Sequence, residues 1–161
     1  MSDRAAEISA AYAAATPGLG AGHALEARLI GPAAYAARLV AARDAVNDAG
    51  ADAALIGFGA DMRYLTGYAA PALERLTMLV VPARGEATLI VPRLEAGMAG
   101  DAPAMRGGSV ATVPFGETDD PFALVASAVR AGARGGSAPL SVALSDRLWA
   151  TFVLRIESAL G

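Results

Sequence analysis

Two short apolar runs, Leu76–Val81 and Ala87–Val91, are separated by Pro82-Ala83-Arg84-Gly85-Glu86. Nothing else in the chain restricts its folding as much. Proline presets φ, glycine supplies positive φ, and the flanking runs are too short and too apolar for surface helices. The stretch therefore reads as an antiparallel β-hairpin. Helical patterns surround it. Gly31-Pro32 opens one, with proline at the first helical position, where its missing N–H costs nothing. Tyr35, Leu39, Ala42 and Val46 follow at helical spacing, and Gly50 closes the segment. Strands alternating with helices point to a parallel sheet, and a hairpin in their midst makes the sheet mixed. The expected class is α/β, with a mixed sheet flanked by helices.

The remaining elements follow the same logic. Ala53–Phe58 is short, apolar and bounded by breakers, so it reads as a buried strand. Asp61–Leu65 reads as one helical turn ended by Gly67, with Asp61 as its cap and Tyr64 and Leu65 packed under the sheet. Arg93–Met98 is expected as a short helix opened by Glu95, Ala99–Gly108 as loop, and Ser109–Val113 as a strand. Pro121 starts a helix over Phe122–Ala131, capped by Asp119 or Asp120. Gly132–Ala138 is a turn and Leu140–Leu144 a strand. Asp146–Leu160 is a helix with Trp149, Phe152, Val153 and Ile156 on one face. Residues 1–30 read as an Ala/Gly-rich arm, mobile or partly helical over Arg4–Ala15, and residues 31–161 as one domain.

Composition excludes more chemistry than it admits. All 13 basic residues are arginine. With no lysine there is neither a phosphate-loop lysine nor a Schiff-base lysine. With no cysteine there is no thiol nucleophile, disulfide or thiolate metal site. The one histidine, His23, lies in the glycine-rich arm and precludes a two-histidine metal motif. A net charge of −3 with scattered arginines argues against a nucleic-acid surface. The apolar runs fall far short of the ~20 residues a spanning helix needs, and Asp3 and Glu7 sit where a signal peptide is basic. The expected location is the cytoplasm. Gly57-Phe58-Gly59 follows a strand, but Met62 holds the third glycine's place, so a dinucleotide fingerprint fails. No serine sits in a nucleophile elbow. Arg75 is the strongest candidate for ligand contact. It precedes a strand, where a guanidinium projecting from the sheet end can grip a carboxylate with two hydrogen bonds. Its alternative is an ion pair with Glu74 or Asp61.

Tyr35-x-x-Arg38, Asp52-Ala53-Ala54-Leu55-Ile56, Arg63-Tyr64-Leu65-Thr66-Gly67, Glu74-Arg75-Leu76-Thr77-Met78-Leu79-Val80-Val81-Pro82 and Pro92-Arg93-Leu94-Glu95 occur in that order. Together they resemble the N-terminal domain of the creatinase/prolidase/aminopeptidase P family, the pita-bread metallopeptidases. The likeness runs from about Pro32 to the end. It looks closest to the cytoplasmic Xaa-Pro dipeptidases of actinobacteria. The resemblance implies a ribonuclease H-like α/β domain, with Asp61, Arg63, Tyr64 and Gly67 forming a structural motif. It implies a parent hydrolase that cuts before proline with two divalent metals (manganese, cobalt or zinc). The ligands of those metals lie in a C-terminal catalytic domain absent from this chain, so the chain alone is expected to be inactive. It also implies a homodimer in which this domain walls a neighbouring active site. Arg75 would then reach a proline-containing peptide's carboxylate bound in the partner's site. A stand-alone binding or scaffold module, and the N-terminal domain of a creatinase-like amidinohydrolase, remain the alternatives.

Overall fold

A computed structural model describes residues 30–135 and 139–161. The suggested helix at Arg4–Ala15, His23 and the residues 136–138 of the suggested turn lie outside them. Helix α1 spans Pro32–Asp48, followed by strand β1 (Ala53–Ile56) and helix α2 (Ala60–Thr66). Strands β2 (Met78–Pro82) and β3 (Ala87–Pro92) form the hairpin. Short helices α3 (Ala96–Gly100) and α4 (Pro103–Arg106) precede β4 (Val110–Phe115). Helix α5 (Pro121–Gly132), strand β5 (Val142–Leu144) and helix α6 (Ala150–Leu160) complete the domain.

The five strands form one sheet in the order β4-β3-β2-β1-β5. β2 runs antiparallel to both neighbours, while β3 with β4 and β1 with β5 are parallel. The mixed sheet expected from the hairpin is therefore present. β2 alone runs against the rest, so the carboxyl ends of β1, β3, β4 and β5 and the start of β2 share one edge.

Side-chain alternation along β2 builds two cores. Leu79 and Val81 face a layer of α1 to α4, where Tyr35, Leu39, Met62, Leu65 and Tyr68 pack. Met78 and Val80 face Phe122, Val125 and Val129 of α5 and Phe152 and Ile156 of α6. A strand buried on both faces must be apolar throughout, which is why Leu76–Val81 shows no polar alternation. Truncating a fully buried leucine such as Leu79 costs about 2–5 kcal/mol, so the central strand governs stability.

Several local expectations are corrected. Ala99–Gly108 is not a plain loop: it holds the end of α3 and all of α4, which Pro103 opens from an extended Ala102. Helix α6 begins at Ala150 rather than Asp146, because Trp149 is extended at ψ 137° and stacks on Phe152 with ring centroids 5.5 Å apart. Phe58 lies beyond the end of β1, where it meets Trp149 edge-on at 5.3 Å. Gly59, not Asp61, occupies the cap position of α2, and Asp61 makes no capping bond there. Tyr64 is 58% exposed rather than packed under the sheet. It sits on the outer side of α2, where Arg38 of α1 lies 4.2 Å above its ring and donates a 2.8 Å hydrogen bond to its carbonyl. Gly67 does have the positive φ expected of it, at 78°.

Candidate functional site

An open cleft of about 730 Å³ lies at the shared strand edge. Its parts come from distant segments: Glu74 and Arg75 before β2, Arg93 and Leu94 after β3, and Gly116–Asp119 after β4. Phe122 of α5 and Phe152 and Arg155 of α6 supply the floor and far wall. In open α/β sheets ligands bind outside the carboxyl ends of strands, because loops there converge on a rigid frame.

Arg75 reaches across the cleft to Glu117, with Nη2 2.9 Å from Oε1. Its partner is thus neither Glu74 nor Asp61: the loop after β4 folds against the entry to β2 and brings Glu117 closer. Both side chains face solvent, at 45% and 78% exposure, so the pair is weak and well screened. Arg155 lies 4.0 Å over the Phe122 ring in a cation–π contact, and both residues line the cleft. Neither Arg93 nor Arg155 has an ion-pair partner among the described residues.

The Gly116–Asp120 loop is held from within. The Gly116 N–H donates to Asp119 Oδ2 at 2.7 Å, and the Phe122 N–H donates to Asp120 Oδ1 at 2.9 Å. Of the two acids offered as the helix cap, Asp120 is the cap and Asp119 clamps the loop. Glu95 occupies the cap position of α3 without a side-chain capping bond. Its Oε2 and the Tyr68 hydroxyl are both buried without a hydrogen-bond partner. Burial, with the Glu95 charge second, pushes the Tyr68 phenol above its usual range.

Of the five site residues singled out from the sequence, Arg75 is the one that lines this cleft. Asp61, Arg63, Tyr64 and Gly67 belong to α2 and its end, away from it. Glu117 and Arg155 were missed because nothing in their local sequence marks them, and Arg93 was read only as part of the Pro92-Arg93-Leu94-Glu95 motif and not as a site residue. Only the pairing of Pro92 with Phe115 places Arg93 beside the loop after β4.

Asp52 was also missed. It lies at the opposite end of the sheet, before β1, and is buried. Oδ2 accepts the Ser141 N–H at 3.0 Å, and Oδ1 accepts the Arg134 N–H at 3.1 Å. These backbone donors, that of Ser141 first, hold its carboxyl below the usual value against the opposing effect of burial. A carboxylate directly before a buried strand was the available signal. The bonds tie β1 to the segments flanking β5, which is a structural task.

Fold and cleft define a three-layer α/β domain with a mixed sheet and a ligand-sized opening at its carboxyl edge. Residues 38–148 match the Creatinase/Prolidase N-terminal domain profile, and the chain belongs to that family. It is similar to the probable dipeptidase PepE of Mycobacterium tuberculosis, at 36% identity over 127 residues, or 79% of this chain and 32% of the relative. The crystal structure of dipeptidase PepE from Mycobacterium ulcerans aligns with a TM-score of 0.71 at 39% identity, covering 81% of this chain and 33% of that one. The N-terminal domain of Xaa-Pro dipeptidase from Lactobacillus brevis shares the fold, with a TM-score of 0.64 at 17% identity over 77% of this chain and 88% of that one. The chain spans about a third of the length of the curated relatives it matches.

Proposed function

We propose that this chain is the non-catalytic N-terminal domain of a metal-dependent Xaa-Pro dipeptidase, acting in a cytoplasmic homodimer. In this reading it helps to build the dimer and walls the active site. Arg75 contacts the carboxylate of a proline-containing dipeptide bound by the partner subunit. The observation that carries the reading is the placement of Arg75. It sits at the entry to the fully buried strand β2, yet its guanidinium stands on the open rim of the cleft. Leu94, 79% exposed, lines the same cleft, and Met98, 61% exposed, follows it four residues on, so both are apolar side chains available to a subunit contact.

The two divalent metals of such an enzyme do not fit the residues present. Among the described residues no group of three or more His, Cys, Asp or Glu is placed to hold a metal ion. In this reading the metals, whether manganese, cobalt or zinc, belong to a C-terminal catalytic domain. Among the described residues no helix is long and apolar enough to cross a membrane.

Two assays test the proposal. This chain alone, supplied with manganese and an Xaa-Pro dipeptide, should be inactive. The same chain joined to the catalytic domain of its parent should hydrolyse the dipeptide. Hydrolysis by the chain alone would show that it is catalytic. A parent protein inactive on Xaa-Pro dipeptides with each of the three metals would remove the dipeptidase reading and favour a creatinase-like or scaffold role.

A further inference from the structure

We infer that Glu117 is an internal stand-in for a ligand carboxylate, holding Arg75 until an incoming carboxylate takes its place. The inference rests on Arg75 being a carboxylate contact, as proposed above.

Three acids stand close together in the loop after β4, and their uses differ. Asp119 and Asp120 are each committed to a backbone N–H of the loop or of α5. Glu117 has no such bond. Its one charged contact among the described residues is Arg75, 2.9 Å away across the cleft. The loop backbone is thus fixed while the Glu117 side chain, 78% exposed, is free to swing into water. Stability gives little reason for the contact, because an exposed ion pair contributes at most about 1 kcal/mol.

Chemistry gives a better one. An arginine cannot shed its charge, so an open cleft holding Arg75 presents a permanent cation. Glu117 neutralises it at rest. A ligand carboxylate offers the same two oxygens, so the exchange replaces one carboxylate by another and Glu117 returns to solvent. A neutral amide cannot make that exchange. Glu117 is therefore a built-in competitor for Arg75: it weakens binding of any carboxylate that must displace it, while the preference for a carboxylate over an amide comes from the Arg75 cation itself. Arg93 and Arg155, unpaired among the described residues, line the same cleft together with Glu74 and Asp119, so the charges beside the Arg75–Glu117 pair balance and the anion is drawn by Arg75 itself.

The test uses the full-length parent enzyme, in which the partner subunit supplies the rest of the ligand site. N-acetylproline is titrated into nitrogen-15-labelled protein, following the Arg75 Nε–H resonance, which is assigned by its loss in Arg75→Lys. Glu117→Gln should lower the apparent Kd about two- to fivefold, the range expected for release of one exposed ion pair. N-acetylprolinamide should move the resonance in neither protein. Equal midpoints in wild type and Glu117→Gln, or no response to N-acetylproline in either, would overturn the inference. If the exchange occurs but the parent protein has no dipeptidase activity, the exchange stands and the dipeptidase reading falls.

Discussion

The Arg75 guanidinium is 2.9 Å from the Glu117 carboxylate, joining the entry of β2 to the exit of β4 across an open cleft. These segments are 42 residues apart by numbering, 117 minus 75, and meet because β2, β3 and β4 are consecutive in the sheet. The pair contributes little to folding, so its consequences should show in function. In the parent enzyme, Arg75→Ala should lower kcat/KM for Xaa-Pro dipeptides by about 30- to 1,000-fold, equivalent to about 2–4 kcal/mol for a desolvated charge contact. Thermal unfolding should hardly change. Unaltered kinetics would reduce Arg75 to a surface residue.

Arg38 and Tyr64 clamp α1 to α2. The guanidinium stacks on the ring and also donates to the Tyr64 carbonyl. Arg38→Ala should cost about 1–2 kcal/mol, combining a cation–π contact with a hydrogen bond. Tyr64→Ala should cost less, because the carbonyl remains. Tyr64→Phe should be neutral, since the ring is retained. Urea unfolding of the three variants checks the ordering, and a costly Tyr64→Phe would show that the hydroxyl matters instead.

Asp52 should make stability depend on acid. Its folded-state pKa is held below the usual 3.8 by the Ser141 and Arg134 backbone donors. A depressed carboxylate pKa gives stability that is complete above the unfolded value and is lost as pH falls through the folded one. Asp52→Ala should be less stable than wild type by about 1–3 kcal/mol near neutral pH, having left those donors unpaired. The gap should narrow as pH drops below about 3.8, where wild type loses the same charge. Urea midpoints across that range would expose a gap that stays constant, which would rule out the charge as the cause.

Gly67 combines two constraints. Its φ is 78°, and a Cβ there would meet Pro103 Cδ at 2.7 Å and Tyr35 Cζ at 3.1 Å. Gly67→Ala should destabilise by about 1–3 kcal/mol, from left-handed backbone strain together with overpacking. A thermal shift confined to a degree would mean that α1 and α4 move aside without cost.

The strand pattern was legible because it rests on short-range chemistry. Ala83–Glu86 turns, with Pro82 held as the last residue of β2, and Leu76–Val81 can only be buried, so the hairpin and the mixed sheet follow from the residues alone. Gly67 was legible for the same reason, since the backbone of a helix end demands it. The less certain elements were those where side-chain packing competes with local preference. Trp149 delays α6 by stacking on Phe152, and Tyr64 turns outward because Arg38 holds it there. Neither partner is visible in a local window.

The cleft divides along the same line. The sequence by itself set the fold class, the family resemblance and the candidacy of Arg75, because each depends on residue types at fixed spacing along the chain. Only the tertiary structure decided that Glu117, and neither Glu74 nor Asp61, is the partner of Arg75. It alone brought Arg93 and Arg155 to the same opening. Those choices depend on strand order and on which loop ends meet at the sheet edge, and such long-range juxtapositions are fixed by burying two apolar faces at once rather than by any local signal.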